Sequence, residues 1–383
     1  MTSSRKIQIC HVQLFPVMGG VQRAMLELFQ QLDRSRYDIH VICKEPGPLT
    51  RELASRRITV HLVPQLDRPI HAWQDFRAYR QLRSIFKEHE FQIVHTHSSK
   101  PGFLGRRAAR RAGVPIVIHQ VQGFSFHELS SKSRHCLYKS LERYAAHYCD
   151  CMLFANREDR DLVAAESWIP LDNCVTIYNG VDLQAYHPAQ RAICRAQWSS
   201  RDDEFVILYL GRLDAEKQPM LLADIAARLD VLRSRTKWRL LVAGSGESQS
   251  QLAQAVKSQG LTHRVRLLGW QDEPAGPLLA ADAVLLPSLR EGLPRSLIEA
   301  QAAGLPCVAS NVRGNREVVT DGTGELCPAK NASRYAEALV RLMDNPQLAS
   351  AMGQRARQHA EQCFDTVANN RQIVGIYESL LDS

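Results

Sequence analysis

Glu291 and Glu299 stand on either side of a helix start, in the stretch Pro-Ser-Leu-Arg-Glu-Gly-Leu-Pro-Arg-Ser-Leu-Ile-Glu-Ala-Gln-Ala-Ala-Gly-Leu-Pro at 287–306. The apolar run before it, residues 283–286, reads as a buried strand. Pro294 suits a first helical position, where its missing N–H would lack a partner anyway. Gly304 and then Pro306 end the helix. The N–H groups of a helix start, with the positive end of the dipole, attract an anion. A carboxylate on each side of an anion site suits a ligand carrying both phosphate and hydroxyl groups. Glu291 would accept from sugar hydroxyls and Glu299 from ribose hydroxyls. The plainer reading is a favourable charge near a helix start and a solvated helix residue.

Other residues offer related chemistry. Arg212 and Lys217 follow the apolar run 205–210, where strand gives way to helix. They form either a diphosphate clamp, with one planar fork and one point charge, or a pair of surface charges. Gly19 and Gly20 follow the first strand; they permit close backbone approach by a phosphate or sugar, or make an ordinary turn. His95 and His97 alternate along a strand and point to one face. Zinc would need a third ligand that the sequence does not name, so buried, hydrogen-bonded histidines are the expectation there. Arg106, Arg107, Arg110 and Arg111 are spaced to share one side of a helix, as a solvated face or as a surface for lipid headgroups or diphosphate. Lys132, Arg134 and Lys139 extend that charge. The turn at 244–247, Gly-Ser-Gly-Glu, lacks the third glycine of a dinucleotide fingerprint, which excludes an NAD site.

Strand-like and helix-like segments alternate from end to end, which predicts a parallel α/β sheet in each of two domains. The length, 383 residues, allows a sizeable core in both. Ten cysteines lie scattered without a CxxC pair and read as reduced thiols in a cytosolic protein. No apolar run approaches the roughly 20 residues of a membrane span. The start, followed by Ile-Gln-Ile-Cys-His-Val at 7–12, reads as a first strand rather than a signal sequence. Of the net charge of +8, the first half carries all: residues 1–175 hold 25 Lys and Arg against 17 Asp and Glu, and the remainder holds 23 of each. With few aromatics and no nucleic-acid module, this basic half suits an anionic membrane surface or a diphospholipid better than nucleic acid.

Glu291-Gly292-x-Pro294, Glu299-Ala300 and Ala303-Gly304-Leu305-Pro306-x-Val308 resemble the signature of the family 4 glycosyltransferases, which are retaining, nucleotide-sugar-dependent enzymes. The resemblance spans nearly the whole chain and is most specific in its second half. It implies the glycosyltransferase B fold, two doubly wound Rossmann-like domains facing across a cleft. The acceptor-side domain would span 1–180, joined by a C-terminal helix at 365–383 that crosses back, and the nucleotide-sugar domain 181–364. Glu291 would contact the transferred sugar and Glu299 the ribose. Arg212 and Lys217 match the donor-phosphate residues, Gly20 lies close to those phosphates, and Gly292 and Leu293 complete the donor contacts. Gly269 and Trp270 would lie near the base. The His-x-His stretch with its lysine resembles an acceptor-side loop, which makes His97 and Lys100 acceptor-side candidates.

The chain departs from that family at Gln122-Gly123, where relatives read His-Gly. Gln122 can orient a sugar but cannot carry charge near neutral pH; His119 and His127 do not occupy the matching position. The expected reaction is hexosyl transfer from a nucleoside diphosphate sugar to a hydroxyl, with retention and with no metal required. The expected acceptor is a lipid-linked glycan at the inner membrane surface, as in bacterial polysaccharide or lipopolysaccharide synthesis. Two alternatives stay open: a binding protein that kept the fold and lost the chemistry, and an epimerase-like enzyme acting on a nucleotide sugar alone.

Overall fold

The structure is a computed structural model that describes residues 6–126, 131–198 and 203–383. His127 lies outside the described residues. The chain divides into two compact units, one of Met1–Asn179 with Val367–Ser383 and one of Gly180–Thr366.

The first unit holds seven strands: β1 (Ile7–Val12), β2 (Tyr37–Cys43), β3 (Thr59–Leu62), β4 (Ile93–His97), β5 (Ile116–Val121), β6 (Cys151–Phe154) and β7 (Cys174–Thr176). Their order in the sheet is β3-β2-β1-β4-β5-β6-β7, and every pairing is parallel. Residues on both faces of β1, β4 and β5 are buried, which is why apolar residues fall on both faces of these strands; His11, His95, His97 and His119 are buried among them. One face packs Ile9, Ile39, Val41 and Ile93 against Met25 and Phe29 of the helix Gly20–Gln31. Ile373 and Tyr377 of the last helix, Thr366–Leu381, belong to the same cluster. The opposite face packs Val12, Val94 and Val117 against Leu82 and Phe86 of the helix Ala72–His89, and against Leu104 and Ala108 of the helix Ser99–Ala112.

The arginines of Ser99–Ala112 do not share one surface. Arg106 is fully buried; its guanidinium donates to the Gly102 carbonyl at 2.9 Å and to Glu142 at 2.6 Å. Arg110 pairs with Asp150. Arg107 and Arg111 are exposed, and Arg110 is half-buried. At about 100° per residue, four positions at i, i+1, i+4 and i+5 cover a broad arc, so one edge faces the core and the other faces water.

The second unit holds six strands: β8 (Phe205–Leu210), β9 (Trp238–Ala243), β10 (Val265–Gly269), β11 (Ala283–Leu286), β12 (Cys307–Ser310) and β13 (Gly324–Cys327). Their order is β10-β9-β8-β11-β12-β13, again with parallel pairings. The helix after β11 covers Arg295–Ala302, one residue later than the sequence suggested. Pro294 takes the position before the helix, with ψ of 107°, and its carbonyl accepts from the amides of Leu297 and Ile298 at 3.1 and 3.3 Å.

Candidate active site

Doubly wound sheets bind ligands beyond the carboxyl ends of their strands, where the direction of winding reverses. In the second unit the reversal lies between β8 and β11, the two neighbours from which the chain winds outward in opposite directions. Arg212 and Lys217 follow β8, and Glu291 follows β11. The topology therefore brings together residues separated by more than seventy positions in the chain. Lys217 donates to Glu291 Oε1, with side chains 16% and 9% exposed. Arg212, by contrast, is mostly exposed and lies 3.0 Å from Asp214 and 3.7 Å from Glu216. A second arginine, Arg290, holds the other oxygen of Glu216 at 2.8 Å. The result is a run of alternating charge, Asp214–Arg212–Glu216–Arg290, beside the Lys217–Glu291 pair.

Several residues that the sequence reading passed over hold this arrangement. The Gln218 side chain donates to the carbonyls of Pro287 and Ala329 at 2.6 and 2.7 Å, tying the turn after β8 to the loop after β11. The Leu289 amide donates to the Glu216 carbonyl at 2.7 Å. Tyr209 donates to the Arg212 carbonyl at 2.6 Å, and burial pushes its hydroxyl pKa up, with Glu291 and Asp214 adding to the shift. Gly244 lets two loops touch: a Cβ there would lie 1.8 Å from the Gly211 carbonyl oxygen. Gly314 does the same at the other end, where a Cβ would lie 2.5 Å from the Gly292 oxygen and 2.8 Å from that of Glu291.

Glu299 is a buried residue, not a solvated one; it is 4% exposed. Arg295, one helical turn before it, holds its Oε1 at 3.0 Å and also reaches the Gly180 carbonyl at 3.3 Å. Leu293 is buried and Gly292 half-buried beside Glu291. Gly269, at φ +72°, ends β10, and Trp270 follows it. The indole is half exposed, with its N–H on Asp272 at 2.9 Å.

In the first unit the reversal lies between β1 and β4. Gly20 opens the helix after β1 and is exposed. At the end of β4, Ser98 adopts φ 64° and ψ 166°, a region that glycine alone enters without strain. Ser99 meets Ser125, from the loop after β5, at 2.8 Å. Gln122 is half-buried and accepts from Asn179 at 2.7 Å.

His97 does not face an acceptor; it is 1% exposed. The adjacent strand β1 supplies a third histidine, His11, whose Nδ1 lies 3.0 Å from His97 Nε2. His95 pairs with Tyr377 at 2.5 Å. Burial lowers all three pKa values, that of His97 to about 3, so the rings are neutral core residues at pH 7. Lys100 is likewise engaged, in an ion pair of 2.6 Å with Asp75 and on the Pro69 carbonyl. Strand alternation places His95 and His97 on one face, pairing with β1 adds His11, and Phe29 and Tyr377 from two helices cover that face.

Two parallel-stranded, Rossmann-like units of this kind make the glycosyltransferase B fold. The crystal structure of Anabaena HepE in complex with UDP and glucose superposes with a TM-score of 0.81 at 20% identity, covering 97% of this chain and 100% of that one. Residues 190–359 match the family described as Glycosyl transferases group 1, and residues 18–185 match Glycosyltransferase Family 4. The UDP-Gal:alpha-D-GlcNAc-diphosphoundecaprenol alpha-1,3-galactosyltransferase of Escherichia coli is 35% identical over 376 residues, 97% of either chain. N-acetyl-alpha-D-glucosaminyl L-malate synthase of Bacillus anthracis is 24% identical over 380 residues, 96% of this chain and 95% of its own. The chain belongs to glycosyltransferase family 4 and is an enzyme of the hexosyltransferase type.

Proposed function

We propose that this enzyme transfers a hexose, galactose first among candidates, from its UDP derivative to a hydroxyl of a polyprenyl-diphosphate-linked N-acetylglucosamine. The observation that carries the donor half is the convergence of Arg212, Lys217, Glu291 and the helix start at Arg295 on one strand switch point. Arg212 and Lys217 neutralise the diphosphate, and the helix start adds its dipole. Glu291 leaves Lys217 to the phosphate and takes sugar hydroxyls; Glu299 takes the ribose hydroxyls. Gly20 approaches the phosphates, Gly292 and Leu293 flank the sugar, and Gly269 with Trp270 borders the base. The choice of UDP-galactose and of the lipid-linked acceptor rests on what is named for the E. coli relative.

The bond from the anomeric carbon to the diphosphate oxygen breaks as the acceptor oxygen attacks that carbon. The acceptor proton passes to the leaving diphosphate. UDP-galactose carries its sugar as the α anomer, so an α-linked product of the kind named for that relative retains configuration. Gln122, neutral and tethered to Asn179, orients the sugar without supplying charge. Catalysis then consists of positioning and of charge stabilisation on the leaving group. Arg212 and Lys217 stand in for a divalent ion, so added Mg2+ or Mn2+ leaves the rate unchanged.

The lipid-linked acceptor calls for a membrane-facing surface, and we assign it to the helix Ala72–His89 rather than to Arg106 and Arg110. Ile70, Trp73 and Phe76 are 54, 66 and 49% exposed. Arg77 lies 5.2 Å over the Trp73 ring and Arg80 6.0 Å from the Phe76 ring. Exposed aromatics interleaved with arginine suit the interface of an anionic bilayer. No helix among the described residues is long and apolar enough to cross a membrane. Trp73→Ala with Phe76→Ala should abolish sedimentation with anionic vesicles while leaving transfer to a water-soluble acceptor analogue intact; equal vesicle binding by the double variant refutes this face.

The first experiment is thermal unfolding with UDP-, GDP- and ADP-sugars, for the wild type and Glu299→Ala, since a ligand that binds only the folded state raises its stability. UDP-sugars should shift the transition, and Glu299→Ala should weaken that effect about 10- to 100-fold in concentration, as expected for losing charge-assisted hydrogen bonds. No shift with any nucleotide sugar removes the donor-site reading and favours a binding protein. Product analysis with labelled UDP-galactose then separates transfer from isomerisation.

A further inference from the structure

A second histidine cluster lies away from both strand switch points. His40 comes from β2, His61 from the edge strand β3 and His89 from the last turn of the helix Ala72–His89. Their candidate ligand nitrogens all lie within 4.8 Å of one another. His40 Nδ1 and His61 Nε2 are 2.9 Å apart, and the ring centroid of His89 lies 5.2 Å from that of His40 and 4.6 Å from that of His61. The sequence gives no hint of the cluster, because its members stand 21 and 28 residues apart.

We infer that His40, His61 and His89 bind one borderline transition-metal ion, Zn2+ before others, as a three-imidazole site. Three imidazoles match the donor preference of Zn2+, Ni2+ and Cu2+ and exclude the oxygen-seeking Mg2+ and Ca2+. Tetrahedral zinc with bonds of about 2.0–2.1 Å sets its nitrogens about 3.3 Å apart, so the His40–His61 pair needs only a small displacement. His40 Nε2 lies 3.4 Å from Asp38 Oδ2. That carboxylate orients the ring and leaves Nδ1 for the metal, the outer-shell arrangement that ligating histidines require. Phe91 backs the site, with its ring centroid 5.1 Å from that of His40 and 5.6 Å from that of His89. His40 is buried, whereas His61 and His89 are half-buried. The fourth position therefore opens to solvent, which provides an entry path and a place for water.

The other histidine group, His11, His95 and His97, is sealed on every side and bonded within itself and to Tyr377, so it offers no such path. A metal on His40, His61 and His89 would clasp the edge strand and a helix end to the sheet interior. It would act on stability and leave sugar transfer alone.

The test uses the full chain without an affinity tag, titrated with Zn2+ by calorimetry and followed by thermal unfolding. One Zn2+ per chain and a raised transition are expected. His61→Ala and His89→Ala should each weaken binding at least tenfold, and Asp38→Asn about tenfold; circular dichroism verifies that each variant folds. The ten free cysteines are the competing ligands. Co2+ in place of Zn2+ should show four-coordinate visible bands without the near-ultraviolet absorption of thiolate ligation. Absence of binding at micromolar Zn2+, binding that survives both histidine variants, or a thiolate spectrum overturns the assignment. None of these outcomes bears on the donor site, so the two readings stand or fall separately.

Discussion

Single side chains in this enzyme are set by what faces them. Lys217 and Glu291 were separate candidates in the sequence; the structure makes them one ion pair. That contact explains how a cation survives in a half-buried site before substrate arrives, since an unpaired charge there would be costly. Lys217→Ala should lower kcat/KM by about 10- to 100-fold, the loss expected for one charge-assisted contact to phosphate. Full activity in steady-state assays would remove Lys217 from the site. Ser98 makes a different point. Its backbone occupies a glycine region, at a strain of about 1–3 kcal/mol. Ser98→Gly should therefore raise the unfolding free energy by about 1 kcal/mol, measured by urea titration; a destabilised variant would mean that the side chain contributes more than the strain.

At the scale of elements, helices and strands here work by presenting opposite edges to opposite environments. In Ser99–Ala112 the arginines split between core and water within one turn. Arg106→Ala leaves Glu142 buried without its partner, and such a change costs about 3–5 kcal/mol. Arg107→Ala, at an exposed position over the Tyr79 ring, should change stability by less than about 0.5 kcal/mol. Similar losses for the two variants in chemical denaturation would contradict the buried pair. Arg295–Ala302 is buried along most of its length, Leu297, Ile298 and Glu299 included, and Arg295 and Glu299, four residues apart, form an ion pair within it.

For the whole molecule, acid sensitivity follows from buried histidines. Burial is the leading cause that lowers the pKa values of His11, His95, His97 and His119; neighbouring histidines add to it for His11 and His95, Arg106 and then His97 for His119, while a hydrogen bond with Gln120 partly offsets it for His97. The native state keeps these rings neutral, whereas the unfolded chain takes up protons below the ordinary value of 6.5. Stability is thus fully present above pH 6.5 and declines as pH falls, for His97 down to about 3. Each ring contributes a slope of up to about 1.4 kcal/mol per pH unit. Urea unfolding between about pH 7.5 and 5.5 should show this decline before most carboxylates titrate. A flat profile over that window would mean that the histidines are solvated.

The repeating strand and helix pattern, the glycine turns and a helix start next to Pro294 were legible in the sequence, because periodicity and turn chemistry act over a few residues. The positions of Arg212, Lys217 and Glu291 after apolar strands were legible for the same reason, while their proposed donor roles come from the family resemblance. Burial and partnership were not. Arg106 looks accessible by type, yet Glu142, thirty-six residues away, captures it, and His97 lies on a sheet face closed by helices that carry Phe29 and Tyr377. The His40, His61 and His89 cluster shares this origin, since only the sheet order puts β3 beside β2. Local sequence determined which elements form and where their ends lie. Tertiary structure decided which polar side chains remain open to a ligand, because that depends on neighbours brought in from distant parts of the chain.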